Sequence, residues 1–355
     1  MKAYIIKEPG KACYADKPYP SCDEFGAIIK TIAVTPCTSD VSNVYKSTNP
    51  ASLGNTLGHE AIGEVVEVGS KVKDCALGDR VMIPSITPDY LFTHDHQASD
   101  VAQHSGGFLH GYLFTNVIDG VFSEYFSVPQ ADQNLALIPE GVTDEQALMI
   151  VDMMNTGFRG SEVADIECGD TVVVYGIGPV GLMAVAGATL QGAARIVAVG
   201  NRPVTMELAK AYGATDCIDY KEGPVAKQVR ALMQGKPVDR VIVAGGTVDA
   251  VTEAFKMVRP GGLISNIVYF AGSGEIKIPL NLWGGGMSDK RLVTSSSPGG
   301  RLRMERMAAL VQYGKVDPGL LVTHRFEGVD SIEEAFEIMH SHPKDLIKPM
   351  VRLAD

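Results

Sequence analysis

Between Thr171 and about residue 293, short β-branched apolar runs alternate with apolar or amphipathic stretches of helical length. TVVVYG (171–176), RIVAVG (195–200), CIDY (217–220), RVIVAG (240–245), GLISNIVYF (262–270) and RLVTSS (291–296) read as strands. PVGLMAVAGATL, PVTMELAKAYG, VAKQVRALMQG and VDAVTEAFKMV read as the helices between them. This alternation predicts βαβ units in a doubly wound, Rossmann-type parallel sheet. Pro179 and Pro203 fall where first-turn prolines belong, and Gly192 and Gly213 where helices stop. Residues 1–152 are patterned differently: AIIKTIAV, AIGEVVEVG and RVMIP are separated by Gly, Pro and Asp turns, which predicts an irregular β-rich domain. The last 60 residues hold two amphipathic helices, RMERMAALVQYG and SIEEAFEIMH, expected to return to that first domain. The expected fold is therefore α/β, with 1–152 and 296–355 forming one domain and 153–295 the other. No internal repeat or low-complexity tract interrupts it.

One segment needs arbitration, because 24 consecutive uncharged residues lie between Asp170 and Arg195. Its glycines and its proline divide it into a β-branched stretch, a turn and a second apolar stretch. That is a buried strand feeding a buried helix rather than a membrane span. The N-terminal MKAYIIKEPGK has too short an apolar run for a signal peptide. With 355 residues, 45% of them hydrophobic, the chain can bury a sizeable core. The formal net charge of -11 argues against nucleic acid and anionic membranes as partners. Cys13, Cys22, Cys37, Cys75, Cys168 and Cys217 include no CxxC pair, and they read as reduced thiols of a cytoplasmic protein.

The first candidate chemistry is Gly176-Ile177-Gly178-Pro179-Val180-Gly181, directly after one strand and opening a helix. Glycines at this spacing allow a tight turn and close approach of a pyrophosphate to the helix N-terminus. The alternative is a loop that only needs positive φ. The next strand ends in Gly200-Asn201-Arg202. A carboxylate there would accept from a ribose 2′-hydroxyl; its absence, with an arginine present, favours a 2′-phosphate and hence NADP(H). Arg202 could instead be a solvated surface charge, and Tyr220 could lie against the phosphate or adenine or simply pack.

Cys37 in TPCTSD and His59-Glu60 in LGHEAIGEVVEVG are individually compatible with a buried thiol and a core histidine. However, Gly58-His59-Glu60, Gly63, Gly69 and Val72 reproduce the spacing of the zinc alcohol dehydrogenase signature. CTSD, GDRV, IPSITPD, GVFSEYF, DMMNTGF, VVVYGIGPVGLMAVAGA, YGATD, PGGRLRMER and PKDLIKP extend the match over nearly the whole chain. The sequence thus resembles the medium-chain dehydrogenase/reductase superfamily, and within it the NADP-dependent secondary alcohol dehydrogenases of anaerobic microbes.

The resemblance implies a GroES-like catalytic domain beside the Rossmann domain, usually in a homotetramer. It implies a zinc-dependent, reversible oxidation of secondary alcohols to ketones with NADP(H). Zinc would be held by Cys37, His59 and Asp152, with Glu60 as an adjacent carboxylate able to approach or leave it. Thiolate, imidazole and carboxylate are sound zinc ligands, and three of them leave a position open. By itself, Asp152 is also compatible with a helix cap. Ser39 matches the hydroxyl that takes the substrate proton, or is a turn hydroxyl. Thr156, Asn266 and Tyr269 are expected near the cofactor, and Ser85, Ile86, Tyr112, Ser296 and Ser297 around the substrate.

Some features depart from relatives. The stretch of about 85–120, where many superfamily members carry four cysteines for a structural zinc, has none, so one catalytic zinc per chain is expected. His94, His96, His104 and His110 in it read as surface residues. Ser42 stands where the proton relay usually continues to a histidine, which points proton exit toward ribose hydroxyls and water. Tyr112 and Ser296 replace a tryptophan and a larger apolar residue, so a roomier, more polar pocket is expected. Alternatives are a polyol or amino-alcohol dehydrogenase on the same scaffold, a zinc-free quinone or enone reductase, and a nucleotide-binding protein without turnover. The charge divides unevenly: residues 153–295 carry 14 Lys and Arg against 13 Asp and Glu, leaving 17 against 29 elsewhere. The acidity therefore lies outside the segment expected to bind phosphates.

Overall fold

The computed structural model describes residues 1–46, 48–87, 114–270 and 274–353. Two compact units divide it: Met1–Asn155 with Ser297–Asp355, and Thr156–Ser296.

In the second unit, strands β8 (Thr171–Tyr175), β9 (Arg195–Gly200), β10 (Asp216–Asp219), β11 (Val238–Val243), β12 (Val258–Asn266) and β13 (Arg291–Thr294) form a parallel sheet. Their spatial order is β10-β9-β8-β11-β12-β13. The order reverses between β8 and β11, where a doubly wound sheet opens a crevice at the carboxyl ends of its strands. Strands buried on both faces need continuous apolar runs, and Val173, Val197, Val199, Val241, Val243 and Ile264 fill this core. Helices α4 (Pro179–Leu190), α5 (Pro203–Ala211), α6 (Val225–Leu232) and α7 (Asp249–Met257) connect the strands. The first two begin with the prolines expected there.

One boundary differs from the pattern reading. Strand β12 begins at Val258 and ends at Asn266, so the following IVYF lies beyond it. Arg259-Pro260-Gly261, which the pattern leaves between a helix and a strand, is instead absorbed near the strand's start: pairing with β11 jumps from Val238–Val258 to Arg240–Leu263. Gly261, at φ 69°, accommodates the irregularity.

The first unit holds a mostly antiparallel sheet in the order β14-β15-β3-β4-β5-β7. Its strands are β3 (Ala27–Val34), β4 (Ala61–Val68), β5 (Arg80–Ile83), β7 (Ala136–Leu137), β14 (Val322–Glu327) and β15 (Lys348–Arg352). β6 (Tyr125–Val128) also pairs with β3, and β1 (Lys2–Glu8) forms a hairpin with β2 (Lys11–Asp16). Tyr4, Ile29, Val65, Phe114, Phe122, Phe126 and Phe336 form its core. Helices α1 (Thr38–Tyr45), α2 (Asp144–Met149), α8 (Arg301–Gln312) and α9 (Ile332–Ser341) belong here. Between α2 and α3 (Asn155–Val163), residues Ile150–Met154 form one wide π turn. Such turns insert a residue into a helix and recur at functional sites. No helix among the described residues is long and apolar enough to cross a membrane.

Candidate active site

In the first unit, three separate segments meet. Cys37 caps α1, His59 and Glu60 immediately precede β4, and Asp152 lies within the π turn. Their ligand atoms all lie within 4.8 Å of one another. Gly58 delivers the histidine: at φ +92° it adopts a conformation disfavoured for other residues, and a Cβ there would stand 2.2 Å from the Phe122 ring. The signature glycine Gly63 likewise has no room for a side chain, since a Cβ would sit 2.2 Å from Ile29 and 2.5 Å from the Lys30 carbonyl. That close approach locks β4 onto β3 directly below the histidine.

Ring orientation is set by Asp40, whose buried carboxylate receives His59 Nδ1–H at 3.0 Å and the Cys37 backbone N–H at 2.8 Å. A carboxylate can only accept, so the proton sits on Nδ1 and the Nε2 lone pair faces the cluster. Asp152 and Glu60 oxygens lie 3.7 and 3.9 Å from Nε2, and Ser39 Oγ lies 3.4 Å from it.

The charge balance is unusual. Lys348 on β15 is fully buried, and its Nζ donates to Glu60 Oε1 at 2.8 Å and to the Pro36 carbonyl at 2.9 Å. Burial alone would push the Cys37 thiol up, but the Lys348 ammonium and His59 outweigh it and bring it down to about 7. Burial holds the Glu60 carboxyl well above the ordinary carboxylate range, with Lys348 opposing. Glu60 Oε2 remains buried with no hydrogen-bond partner. An orphaned carboxylate oxygen beside a near-neutral thiol, an oriented imidazole and a second carboxylate is costly in a metal-free protein. The donor set fits a divalent cation with a preference for sulfur, nitrogen and oxygen ligands, as zinc has.

In the second unit, the loop after β8 has the form of a phosphate cradle. Gly176 has φ +93°, and a Cβ on it would lie 2.6 Å from the Gly245 Cα in the loop after β11. A Cβ on Gly181 would lie 1.8 Å from the Gly176 carbonyl, so helix and strand pack without a side chain between them. Gly178, the N-cap of α4, faces open space on its Cβ side. The strand-to-helix turn thus presents bare backbone at a helix N-terminus, as a pyrophosphate requires. At the end of β9, Gly200 lets Ile177 approach, since a Cβ would stand 2.3 Å from its side chain.

Asn201 and the half-buried Arg202 follow, with Arg202 capping α5. Partial burial pulls the guanidinium below its usual value, and nearby Tyr220 acts in the opposite direction. A partly desolvated cation gains when an anion reaches it. Tyr220, 46% exposed, follows β10. Asn266 closes β12, its Nδ2 donating to the Val268 carbonyl while Oδ1 is buried with no partner. Tyr269 is exposed, and Thr156 is buried near the start of α3. The glycines, Asn201, Arg202, Tyr220 and Asn266 therefore lie at or just beyond the carboxyl ends of β8, β9, β10 and β12.

Of the residues expected around the substrate, Ser85 and Ile86 are buried just beyond β5, and the Ser85 N–H bonds the carbonyl of Val151, next to Asp152. Ser85 Oγ is buried without a partner. The Ser297 hydroxyl is taken up by Asn155 Nδ2 at 2.6 Å, and Ser296 is half-buried. Tyr112, His94, His96, His104 and His110 lie outside the described residues.

Sequence reasoning passed over Asp40, Lys348, Asn155 and Arg303. Two of these left signals. Asp40 stands three residues after an N-cap, where a carboxylate reaches back to the cap N–H. Lys348 interrupts the apolar run LIKPMV, and a charge there needs a buried partner.

Two family models match: the alcohol dehydrogenase GroES-like domain over residues 23–140, and the zinc-binding dehydrogenase over residues 179–312. The NADP-dependent isopropanol dehydrogenase of Thermoanaerobacter brockii is 53% identical over 355 residues, covering 100% of both chains. That of Entamoeba histolytica is 45% identical over 353 residues, covering 99% of this chain and 96% of the other. Among solved structures, zinc-dependent alcohol dehydrogenase 2 from Streptococcus pneumonia has a TM-score of 0.89 at 26% identity, over 100% and 99% of the two chains. Alcohol dehydrogenase TADH from Thermus sp. ATN1 has a TM-score of 0.84 at 26% identity, with full coverage of both.

Proposed function

The chain belongs to the zinc-containing alcohol dehydrogenases of the medium-chain dehydrogenase/reductase superfamily, and from that premise we propose that it interconverts secondary alcohols and ketones with NADP(H). The observation that carries the chemistry is the cluster of Cys37, His59, Glu60 and Asp152, with ligand atoms within 4.8 Å of one another. Cys37, His59 and Asp152 would hold the metal, with Glu60 as the standby ligand. When bound, zinc supplies the Lewis acidity that acidifies a hydroxyl or polarises a carbonyl, and NADP(H) takes or gives the hydride.

The chain's own groups set up the rest. Asp40 fixes the His59 tautomer, and Ser39 Oγ, beside His59 Nε2, receives the substrate hydroxyl proton in the oxidation direction. Ser42 lies one turn further along α1 and carries no group that titrates near neutrality, so the proton leaves through ribose hydroxyls and water. In the other unit, Gly176, Gly178, Pro179, Val180 and Gly181 take the pyrophosphate. Gly200, Asn201, Arg202 and Tyr220 take the 2′-phosphorylated ribose; Thr156, Asn266 and Tyr269 take the nicotinamide end. This assigns zinc and substrate to 1–152 and 296–355, and the cofactor to 153–295.

Ser85, Ile86, Tyr112, Ser296 and Ser297 are assigned to the substrate. The unpartnered Ser85 hydroxyl favours substrates with a second oxygen, which supports the polyol reading as the second choice. One zinc per chain, a homotetramer and a cytoplasmic location complete the proposal. Leu280, Trp283 and Met287, exposed near edge strand β13, support association, and the free thiols support a reducing compartment.

The test is NADPH-linked reduction of a panel of ketones and hydroxyketones by zinc-replete protein. Turnover should require zinc and fall with NADH. Activity that survives complete zinc removal would overturn the proposal.

A further inference from the structure

Asp152 is held in a conformation that an ordinary α-helix would not give it. The π turn of Ile150–Met154 widens the helix and frees main-chain groups, each of which needs a partner. The Val151 carbonyl is met by the Ser85 N–H at 3.3 Å. On the other side, the Asn155 N–H donates to the carbonyl of Asp152 itself. Asn155 is fully buried and saturated. Its Nδ2 donates to Ser297 Oγ and to the Pro298 carbonyl, both at 2.6 Å, and its Oδ1 receives Arg303 Nε at 2.7 Å. Arg303 Nη2 donates to the Asn155 main-chain carbonyl at 3.3 Å. Arg303, on α8, is itself 9% exposed.

We propose that Arg303 is a positioning residue for the metal ligand Asp152, acting through Asn155. The planar guanidinium grips the side chain and the main chain of one residue at once, which fixes both the place and the rotation of Asn155. Because the Asn155 N–H bonds the Asp152 carbonyl, fixing Asn155 fixes the end of the π turn from which the Asp152 carboxylate reaches Cys37 and His59. Such a burden on a buried arginine is unexplained by the packing of α8, whose other buried positions are the apolar Met304, Met307, Ala308 and Val311. The proposal rests on the reading of Cys37, His59 and Asp152 as metal ligands.

The experiment uses the full chain loaded with cobalt(II) in place of zinc, comparing wild type, Arg303→Met, Arg303→Lys and Asp152→Ala. Arg303→Met should release metal to a chelator about tenfold faster or more, as loss of a ligand-orienting partner does. Its visible cobalt bands should move toward those of Asp152→Ala, with Arg303→Lys between the two. A lowered Tm with wild-type metal release and wild-type bands would show a merely structural clamp and overturn the proposal. If Arg303→Met does not accumulate as folded protein, wild-type bands and release in Arg303→Lys overturn it equally. Wild-type protein that takes up no cobalt overturns the metal reading as well, whereas metal uptake with unresponsive Arg303 variants overturns this inference alone.

Discussion

The two units handle charge by different means. In the parallel-sheet unit, the proposed phosphate cradle is made of backbone: Gly176, Gly178 and Gly181 lie within six consecutive residues, and what they provide is bare main chain at a helix start. In the β-rich unit, the proposed metal cluster is made of side chains drawn from positions 37, 59, 60 and 152, and it is tied to Asp40 and Lys348 and, through Asn155, to Arg303. A backbone site needs little beyond a turn and a helix, and it is compact in sequence. A side-chain site of one thiol, two carboxyl groups and one imidazole needs counter-charge and orientation from elsewhere, so it is dispersed. The lesson is that the second kind is exposed to failure at many more positions.

The largest effect is expected from removing the proposed metal ligands. Cys37→Ser or His59→Ala should lower zinc content and cut ketone reduction by about 10³-fold or more, since Lewis-acid stabilisation is worth several kcal/mol. If the units divide the work as described, NADPH binding followed by fluorescence should stay close to wild type. Parallel loss of cofactor affinity would contradict the division.

That division also explains what could be read from the sequence. The Rossmann half was legible from residues alone, because strand, glycine turn and helix are adjacent and their hydrophobic periods change where the chemistry changes. The largest difference was the extent of β12, where Gly261 lets residues expected to lie between a helix and a strand join the sheet; other boundaries moved by a few residues. The metal half was legible only through resemblance to a family. Nothing in the spacing of Cys37, His59 and Asp152 announces that the strands of an antiparallel sheet and a π turn will bring them together. The supporting residues were the least visible, since Asn155 and Arg303 are 148 residues apart and ordinary in type.

Within the cradle, two glycines separate fold from function. Gly181→Ala drives a methyl into the Gly176 carbonyl at 1.8 Å, so it should destabilise the unit by about 1–3 kcal/mol, read as a lower Tm. Gly178→Ala meets nothing within 4 Å, so Tm should hold. NADPH should nevertheless bind roughly 10–100-fold more weakly, as expected for the loss of one or two charge-assisted hydrogen bonds. Equal effects of the two variants would mean that the turn is structural rather than a cradle.

A smaller effect is expected at Arg202. Arg202→Ala should weaken NADPH by about tenfold, the value of one partly exposed guanidinium–phosphate contact, and leave NADH nearly unchanged. Measuring both cofactors in the same variant makes the ratio the observable. A ratio that does not move would return Arg202 to the status of a surface charge and leave Asn201 and Tyr220 to account for the phosphate.

The mildest test uses pH, because only the side-chain site should respond steeply near neutrality. In the metal-free protein the Cys37 thiol is brought down to about 7, against burial, by Lys348 and His59. Cys75 is pushed up to about 11 by burial, with Asp132 adding to it. A depressed thiol is an anion above its folded value and takes up a proton as pH falls through it. Iodoacetamide should therefore modify Cys37 with a midpoint near pH 7, while Cys75 stays unreacted until strongly alkaline pH, with sites assigned by mass spectrometry. Zinc affinity should fall about tenfold for each pH unit below that midpoint, because the metal then has to displace the Cys37 proton. Lys348→Met removes the largest influence opposing burial, so the alkylation midpoint should rise toward or beyond that of an ordinary thiol. A midpoint that stays near 7 in that variant would mean that the buried ammonium does not set the charge of the cluster, and that His59 alone prepares Cys37 for metal.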